Sequence, residues 1–131
     1  MPFQVGDTFL LPKPNQVEHL WIVLENENEA GEMLCVNVTS KRPLSDSTVT
    51  LQPGDHPFIK HESVVHYEDT RMMPMSQVCA LIDGASKNFV CERSYACTHT
   101  VMDRVRRGLL DSKRTPNGIK ALCRPKWRSL G

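Results

Sequence analysis

Short apolar runs separated by polar turn residues make up the first half of the chain. Apolar runs of roughly four to eight residues, bounded by Pro, Gly, Asn or Asp, are typical of β-strands. The runs that predict strands are Thr8–Leu11, His19–Leu24, Glu32–Thr39, Thr48–Leu51 and Ser63–Tyr67, with a brief extended segment at His56–Ile59. Short strands at this close spacing predict a small antiparallel barrel or roll.

The hydrophobic period changes from strand-like to helix-like after Met73. Apolar residues at helical spacing form three groups: Val78, Leu81 and Ile82; Cys97, Val101, Val105 and Leu109; and Ile119, Leu122 and Cys123. Gly84 follows the first group as a typical helix terminator, although that group also fits a strand. The second group predicts an amphipathic helix over Ala96–Leu110. Thr115 and Pro116 precede the third group as an N-cap hydroxyl and a first-turn proline.

Charge is distributed unevenly between the two halves. Residues 1–70 carry four Lys or Arg against eleven Asp or Glu, a net charge of −7. Residues 71–131 carry twelve against four, a net charge of +8, so that the whole chain has a net charge of +1. Such asymmetry is typical of a surface that binds a polyanion or an acidic partner. It is equally expected if the halves pack together and neutralise each other, within one chain or across a dimer.

We expect an α+β, mainly β protein with a single domain over residues 1–131, made of a barrel part (1–73) and a helical, basic part (74–131). The apolar stripe of the amphipathic helix needs a partner surface, and the barrel is the nearest one. Each fully buried apolar side chain stabilises by about 1.5–3 kcal/mol, more than an exposed ion pair does. Val105→Asp is therefore expected to unfold or dissociate the protein, and Arg106→Ala to change its melting temperature little.

Composition disfavours several protein classes. No apolar run approaches the roughly 18–20 residues that span a bilayer, and Met1–Asp7 lacks the plan of a signal peptide. The five cysteines are an odd set, which favours reduced thiols in the cytoplasm over a disulfide framework. A zinc site is an alternative, but no C-x2-C pair anchors it, and we expect neither metal nor cofactor. The residues for such a site are Cys91, Cys97, His99 and Cys123.

Histidines are the candidate acid and base groups. His19 and His56 lie at the starts of predicted extended segments beside turns, where a side chain can point into a cleft. Histidine titrates near neutral pH and so can take up and release a proton. Phosphate transfer between ribose hydroxyls needs an acid and a base, which predicts catalysis if both histidines face one pocket. The alternative is that each is a structural residue with its hydrogen bonds satisfied.

Thr39-Ser40-Lys41-Arg42 is the candidate phosphate-binding segment. Hydroxyls at the end of a strand can contact a phosphate oxygen, and an adjacent pair of cations can hold a phosphodiester. Lys41 and Arg42 are the only close basic pair in the first 70 residues. The alternative is that Thr39 and Ser40 cap a turn and the two cations are solvated.

The order of these segments resembles the MazF/PemK/Kid-type toxins of bacterial toxin–antitoxin systems. The likeness covers roughly residues 5–70 and rests on Gly6-Asp7, His19–Leu24, Val36-Asn37-Val38-Thr39-Ser40 and Glu62-Ser63-Val64-Val65. The resemblance implies an SH3-like barrel with appended helices, usually dimeric. It also implies metal-independent cleavage of RNA at short sequences, inhibited by an antitoxin.

The resemblance also bears on individual residues. The family pattern has a Thr or Ser at the end of the third strand, which Thr39 and Ser40 match. It has an arginine ahead of the second strand, where this chain reads Val17-Glu18-His19. His19 can act there as an acid or base, but it does not supply the permanently charged fork that an arginine offers to a phosphate.

The leading hypothesis is a divergent toxin-like endoribonuclease that works in the cytoplasm without metal, as a homodimer with RNA as substrate and an antitoxin protein as partner. Its predicted site residues are His19, His56, Thr39 and Ser40 for catalysis, and Lys41 and Arg42 for substrate binding. The alternative is a non-catalytic SH3-like barrel that binds nucleic acid or a protein partner. It would bind through one exposed basic face formed by Arg104, Arg106, Arg107, Lys113 and Arg114.

Overall fold

A computed structural model describes residues 3–12, 18–26, 28–82 and 92–130. The strands are β1 (Thr8–Pro12), β2 (Glu18–Glu25), β3 (Glu32–Ser40), β4 (Thr50–Leu51), β5 (Ser63–Pro74) and β6 (Glu92–Ser94). The helices are α1 (Met75–Ile82), α2 (His99–Asp111) and α3 (Asn117–Lys126), with a 3-10 turn over Arg128–Leu130. The protein is α+β and mainly β, as the sequence predicts. Within the described residues, no helix has the length and apolar character needed to cross a membrane.

The strands form one antiparallel sheet in the order β4-β5-β3-β2-β1-β6. β1, β2 and β3 follow one another as a meander, whereas β5 pairs with the other side of β3. Register shifts occur between Val23 and Glu25 in β2 and between Cys35 and Asn37 in β3. An irregularity of this kind bends a strand and increases its twist, which helps curl the sheet into a half-barrel.

One face of the sheet packs against α2 and the C-terminal segment. Alternate residues of β2 and β3 supply this face and are buried: Leu20, Ile22, Leu24, Leu34, Val36 and Val38. α2 contributes Val101, Val105 and Leu109 to the same cluster, as its apolar stripe predicts. Cys123 and Trp127 complete it from the C-terminal side. Residues of the barrel part and of the helical part therefore share one core.

α2 lies very close to the sheet at Gly108. A Cβ atom at this position would collide with a methyl group of Val49 and with the hydroxyl of Tyr67. That hydroxyl also donates a 2.7 Å hydrogen bond to the Val105 carbonyl. The missing side chain of Gly108 thus sets the depth at which α2 docks.

The other face of the sheet is covered by the N-terminal segment and α1. Its buried cluster contains Phe3, Phe9, Trp21, Val23, Met33, Cys35, Met75 and Val78. The rings of Phe9 and Trp21 stack nearly parallel, with centroids 6.4 Å apart. α1 forms where the apolar spacing predicts a short helix, while Gly84, its predicted terminator, lies outside the described residues.

The segment around the fourth strand differs from the sequence prediction. Thr48 lies outside the strand, because the carboxylate of Asp46 accepts hydrogen bonds from its amide and its hydroxyl. β4 consequently begins at Thr50. His56–Ile59 is a turn instead of an extended segment, with a 3.0 Å hydrogen bond from the Ile59 amide to the His56 carbonyl.

The later strands are more extensive than predicted. β5 continues to Pro74 instead of ending at Tyr67, because it pairs along β3 as far as Glu32. Exposed charged residues in its second half obscure the strand pattern in the sequence. β6 was not predicted at all, and it adds to the sheet edge by pairing Ser94 with Thr8 of β1.

Helix boundaries also shift. α2 begins at His99 instead of Ala96, because the Thr98 hydroxyl accepts a 3.3 Å hydrogen bond from the Val101 amide and caps the helix. Caps of this type define where a helix starts.

Thr115 does not cap α3. Its hydroxyl donates a 2.8 Å hydrogen bond to the Leu109 carbonyl and so closes the end of α2. α3 begins at Asn117 without a side-chain cap, and Leu122, predicted to lie in its apolar stripe, is 42% exposed.

Opposite charges of the two parts meet in the structure. Ion pairs between described residues of the two parts include Arg104–Asp55 at 3.3 Å, Arg106–Glu25 at 3.5 Å and Arg114–Glu68 at 4.0 Å. Part of the charge asymmetry is therefore neutralised within one chain, which was the second of the two interpretations.

Candidate functional site

A cavity of about 420 Å³ opens where β3 ends and β5 begins, and we call it the strand-end pocket. It is lined by His19, Leu20, Val38, Thr39, Ser40, Arg42, Phe58, Ile59, Lys60, His61 and Ser63. Aliphatic and aromatic side chains supply a large part of the lining, and imidazole, hydroxyl and cationic groups supply the rest. A concave, largely apolar site with a few converging polar groups is the usual form of a small-ligand site.

The pairing of β3 with β5 brings Ser40 and His61 together. Ser40 lies opposite Ser63 in the antiparallel ladder, and the Lys41 amide donates a 3.2 Å hydrogen bond to the Glu62 carbonyl. This register directs the segment before β5 back toward the end of β3. Ser40 Oγ and His61 Nε2 then lie 2.7 Å apart, a hydrogen-bond distance, while the His61 side chain stays exposed.

His19 lines the same pocket from β2. It is half-buried, and its Nδ1 lies 3.4 Å from the Val38 carbonyl oxygen. A carbonyl oxygen only accepts hydrogen bonds, so in the neutral ring this contact favours the tautomer with its proton on Nδ1 and its lone pair on Nε2. The pocket therefore holds two imidazoles, those of His19 and His61.

His56 is held elsewhere and does not line the strand-end pocket. It is 2% exposed, and its Nε2 lies 2.6 Å from the Tyr95 carbonyl and 3.2 Å from Thr8 Oγ1. Its Nδ1 accepts a 3.0 Å hydrogen bond from the Phe58 amide, so the ring carries its proton on Nε2 and is neutral. Burial lowers the pKa of His56, although the hydrogen bond to Tyr95 opposes the shift. His19 and His56 are thus not brought together in one pocket.

Of the two predicted phosphate-binding cations, Arg42 lines the pocket and Lys41 does not. Lys41 lies 3.4 Å from the Glu62 carboxylate on the outside. Lys60, which was not predicted, takes its place on the pocket wall. Within the described part of the chain, neither the Arg42 guanidinium nor the Lys60 ammonium makes an ion pair, so both are available to an anion.

Sequence reasoning missed Phe58, Lys60 and His61. Lys60 and His61 belong to a polar connection that has no periodicity of its own, and Phe58 belongs to the segment His56–Ile59, which the sequence predicts to be extended. The missing signal was the register of β5 on β3, since pairing of Ser63 with Ser40 brings the residues before it to the end of β3.

A second cavity, of about 280 Å³, adjoins the first, and we call it the side cavity. It is lined by Thr39, Ser40, Arg42, Leu44, Ser45, His66, Glu68 and Arg114. Thr39, Ser40 and Arg42 line both cavities, which therefore share a wall. Arg114 comes from the connection between α2 and α3, so the helical part also contributes to this region.

A buried carboxylate ties the side cavity to the end of α2. Asp46 is 7% exposed and accepts a 2.6 Å hydrogen bond from the Ser112 hydroxyl in addition to those from Thr48. Burial alone would raise the pKa of Asp46, but the hydrogen bonds from Ser112 and Thr48 and the charge of Arg114 bring it below its ordinary value. Ser112 Oγ in turn accepts a 3.1 Å hydrogen bond from the Arg114 amide. The backbone of Arg114 is therefore fixed.

The predicted single exposed basic face does not form. Arg104 and Arg106 are drawn onto the barrel, where each donates a 2.6 Å hydrogen bond, to the Thr50 and Leu24 carbonyls respectively. The members of that set that are exposed and make no ion pair within the described residues are Arg107 and Lys113.

The cysteines of the alternative zinc site are not gathered into a metal centre within the described residues, which hold no cluster of three or more His, Cys, Asp or Glu. Cys91 lies outside those residues. Burial raises the pKa of Cys97 to about 12 and that of Cys123 to about 11, and nearby carboxylates add to both shifts. Both thiols are therefore protonated at neutral pH in this arrangement.

No protein-family model matches the chain, and no curated protein matches it. The resemblance to the MazF/PemK/Kid-type toxins stays a prediction.

Proposed function

We propose that the protein is a metal-independent endoribonuclease that acts on an unpaired nucleotide in the strand-end pocket. The observation that carries this proposal is the presence of two imidazoles, His19 and His61, on one cavity together with the cations Arg42 and Lys60. Attack by a ribose 2′-hydroxyl on its neighbouring phosphate needs a base and an acid, and the phosphate oxygens need positive partners. Both requirements have candidate groups in this pocket.

The proposed reaction transfers the phosphorus from O5′ to O2′. His19 Nε2 takes the proton of the 2′-hydroxyl, and O2′ then forms a bond to phosphorus while the P–O5′ bond breaks. The imidazolium of His61 gives its proton to the leaving O5′, so the products are a 2′,3′-cyclic phosphate and a 5′-hydroxyl. Arg42 stabilises the charge that builds up on the phosphate oxygens, since a guanidinium stays charged throughout. Ser40 is a positioning residue, through its hydrogen bond to His61.

The apolar part of the lining suits a nucleobase. Phe58 is 36% exposed at the pocket and offers a ring face on which a base can stack, next to the side chains of Leu20, Val38 and Ile59. Stacking on an aromatic side chain contributes about 1–3 kcal/mol per base. A base can enter such a concave site only when it is unpaired, which makes single-stranded RNA the expected substrate.

We propose further that the protein is toxin-like in its partners and its location. A toxin of this kind works in the cytoplasm as a homodimer, and its antitoxin inhibits it. The support is the resemblance over roughly residues 5–70, in which Thr39 and Ser40 match the family pattern and also line the strand-end pocket.

Cleavage of mixed-sequence RNA by the purified protein in EDTA tests the activity. His61→Ala and Arg42→Ala should each lower the cleavage rate by a factor of about 10²–10⁴, the usual contribution of a general acid or an electrostatic stabiliser. Lys41→Ala and His99→Ala are the matched controls and should cleave like the wild type, since both side chains are exposed outside the pocket. RNA with 2′-deoxyribose at the cleaved position should stay intact.

Failure of the wild-type protein to cleave at any pH between about 5 and 8, where histidine titrates, would remove the enzyme proposal. The second candidate, a non-catalytic RNA-binding barrel, would then remain. It is favoured by the sequence ahead of the second strand, where His19 follows Glu18 and the arginine of the family pattern is missing. In that case RNA binds and Arg42→Ala weakens binding, but no cyclic phosphate is formed.

A further inference from the structure

We propose that the side cavity is a second phosphate-binding subsite, so that the ligand is a single RNA strand spanning at least two nucleotides; this inference rests on the proposed function. The two cavities share Thr39, Ser40 and Arg42 as a common wall. A strand whose base lies in the strand-end pocket can continue past Arg42 into the side cavity.

Cations are placed in order along this path. Lys60 lines only the strand-end pocket, Arg42 lines both cavities and Arg114 lines only the side cavity. Phosphates follow one another regularly along a strand, and proteins hold such a strand with a row of cations that track its backbone.

Glu68 places a carboxylate in the side cavity, and its negative charge opposes the binding of a phosphate. Its Oε1 lies 4.0 Å from Arg114 Nη1, too far for a hydrogen bond, and 3.4 Å from His66 Nε2. Both Glu68 and Arg114 side chains are about half exposed, at 51% and 44%. An exposed ion pair at this distance contributes little to stability, so a phosphate can replace Glu68 as the partner of Arg114. With Arg42 and Arg114 against Glu68, the cavity keeps a net positive charge.

The subsite is assembled by the fold. Arg114 reaches the end of β3 because the Ser112 hydroxyl accepts its amide hydrogen and donates to the buried carboxylate of Asp46. On the other side, the Arg42 amide donates a 2.8 Å hydrogen bond to Ser45 Oγ, which holds the backbone of Arg42 in a turn. Both arginines thus have fixed backbones and exposed guanidinium groups, an arrangement that lowers the entropy lost on binding a phosphate.

The test is binding of a ten-nucleotide mixed-sequence 2′-O-methyl RNA, which cannot be cleaved because its 2′-oxygens are blocked. Arg114→Ala should weaken binding by about five- to tenfold at low salt and lower the slope of log Kd against log salt by about one, as expected for one lost phosphate contact. Glu68→Gln should tighten binding by about two- to threefold, because it removes the competing carboxylate. Arg107→Ala is the matched control and should leave Kd unchanged, because Arg107 is exposed on α2 away from both cavities.

Cleavage of mixed dinucleoside monophosphates, which carry one phosphate, separates the subsite from the strand-end pocket. Arg114→Ala should leave their kcat/KM within twofold of wild type, whereas Arg42→Ala should lower it. If Arg114→Ala and Glu68→Gln both bind the ten-nucleotide RNA like the wild type while Arg42→Ala binds it weakly, the subsite is wrong and the proposed function stands. If the wild-type protein binds no RNA, both proposals are overturned.

Discussion

His56 and His61 lie in one short connection and have opposite environments. His61 is exposed, with Ser40 as its hydrogen-bond partner, and so can exchange a proton with a ligand. His56 is buried, and both of its ring nitrogens are used within the protein, where they link the 56–59 turn to Thr8 and Tyr95. The hydrogen bonds of each ring, more than its position in the sequence, determine which histidine is available as an acid or a base.

The stability of the protein should depend on pH through His56. Burial lowers its pKa below the ordinary 6.5, so the unfolded chain binds the proton more readily than the folded one. Its contribution to stability is therefore present above pH 6.5 and is lost as the pH falls through the lowered pKa, because protonated Nδ1 would meet the Phe58 amide hydrogen. Thermal unfolding between about pH 7.5 and 5 should show this loss. His56→Gln should flatten the pH dependence, and His99→Gln, at an exposed site, should keep it.

Arg106→Ala should destabilise the protein. The sequence alone predicts little effect on the melting temperature, but the Arg106 side chain is only 21% exposed and its guanidinium lies 5.0 Å from the ring centroid of Trp127. It also donates a 2.6 Å hydrogen bond to the Leu24 carbonyl. Removing these contacts should cost about 1–3 kcal/mol in urea-unfolding free energy. Arg107→Ala, one residue along and exposed, should have almost no effect, and equal effects of the two would contradict this account.

Some properties of α2 follow from its local sequence, and others do not. Its apolar stripe of Val101, Val105 and Leu109 predicts the helix and its buried face, and all three residues are buried. How closely α2 approaches the sheet depends on Gly108. The apolar stripe does not predict this distance, because glycine has no side chain and adds nothing to the stripe.

Gly108→Ala should destabilise the protein even though alanine is the better helix former. Alanine stabilises a helix interior by about 1 kcal/mol over glycine, but here its Cβ would collide with Val49 and Tyr67. Overpacking of this kind typically costs about 1–3 kcal/mol, so the net change in unfolding free energy should be a loss. Gly118→Ala in α3 is the control: its added Cβ would meet nothing within 4 Å, and stability should be unchanged or higher. A gain at Gly108 would mean that α2 is not docked at this depth.

One hydrophobic cluster contains residues from both parts of the chain. β2, β3 and β5 supply one side of it, and α2 with Cys123 and Trp127 supplies the other. The ion pairs between the two parts are partly exposed and contribute modestly to stability. Burial of apolar surface is therefore the main reason that the parts hold together.

A fragment of residues 1–74, which ends with β5, should therefore not fold alone. It would expose the sheet face that α2 covers, a contiguous apolar surface of a kind that leads to aggregation. Circular dichroism during heating should show no cooperative transition, or the fragment should be insoluble. Val105→Asp in the full chain should give a similar loss, because it buries an unpaired charge in the same cluster. A soluble fragment that melts cooperatively would show that the helices are a separate module.

Local patterns of the sequence determined the types of the longer elements and part of the site. Alternating apolar and polar residues and short apolar runs predicted β2 and β3, and apolar residues at every fourth position predicted α2. These patterns show which side of an element is buried. Thr39, Ser40 and Arg42 were predicted together because they are neighbours at the end of one strand, and they line one pocket.

Only the tertiary structure decided which distant residues complete that pocket. His61 meets Ser40 because β5 pairs directly with β3, although β4 lies between them in the sequence. Arg114 lines the same cavity as Arg42 because the hydrogen bond between Ser112 and Asp46 fixes the end of α2 against the barrel. Strand register and helix docking depend on contacts between residues far apart in the chain. A local hydrophobic pattern shows which face of an element is buried, but it does not show which other element packs on that face. These contacts therefore cannot be predicted from the local sequence.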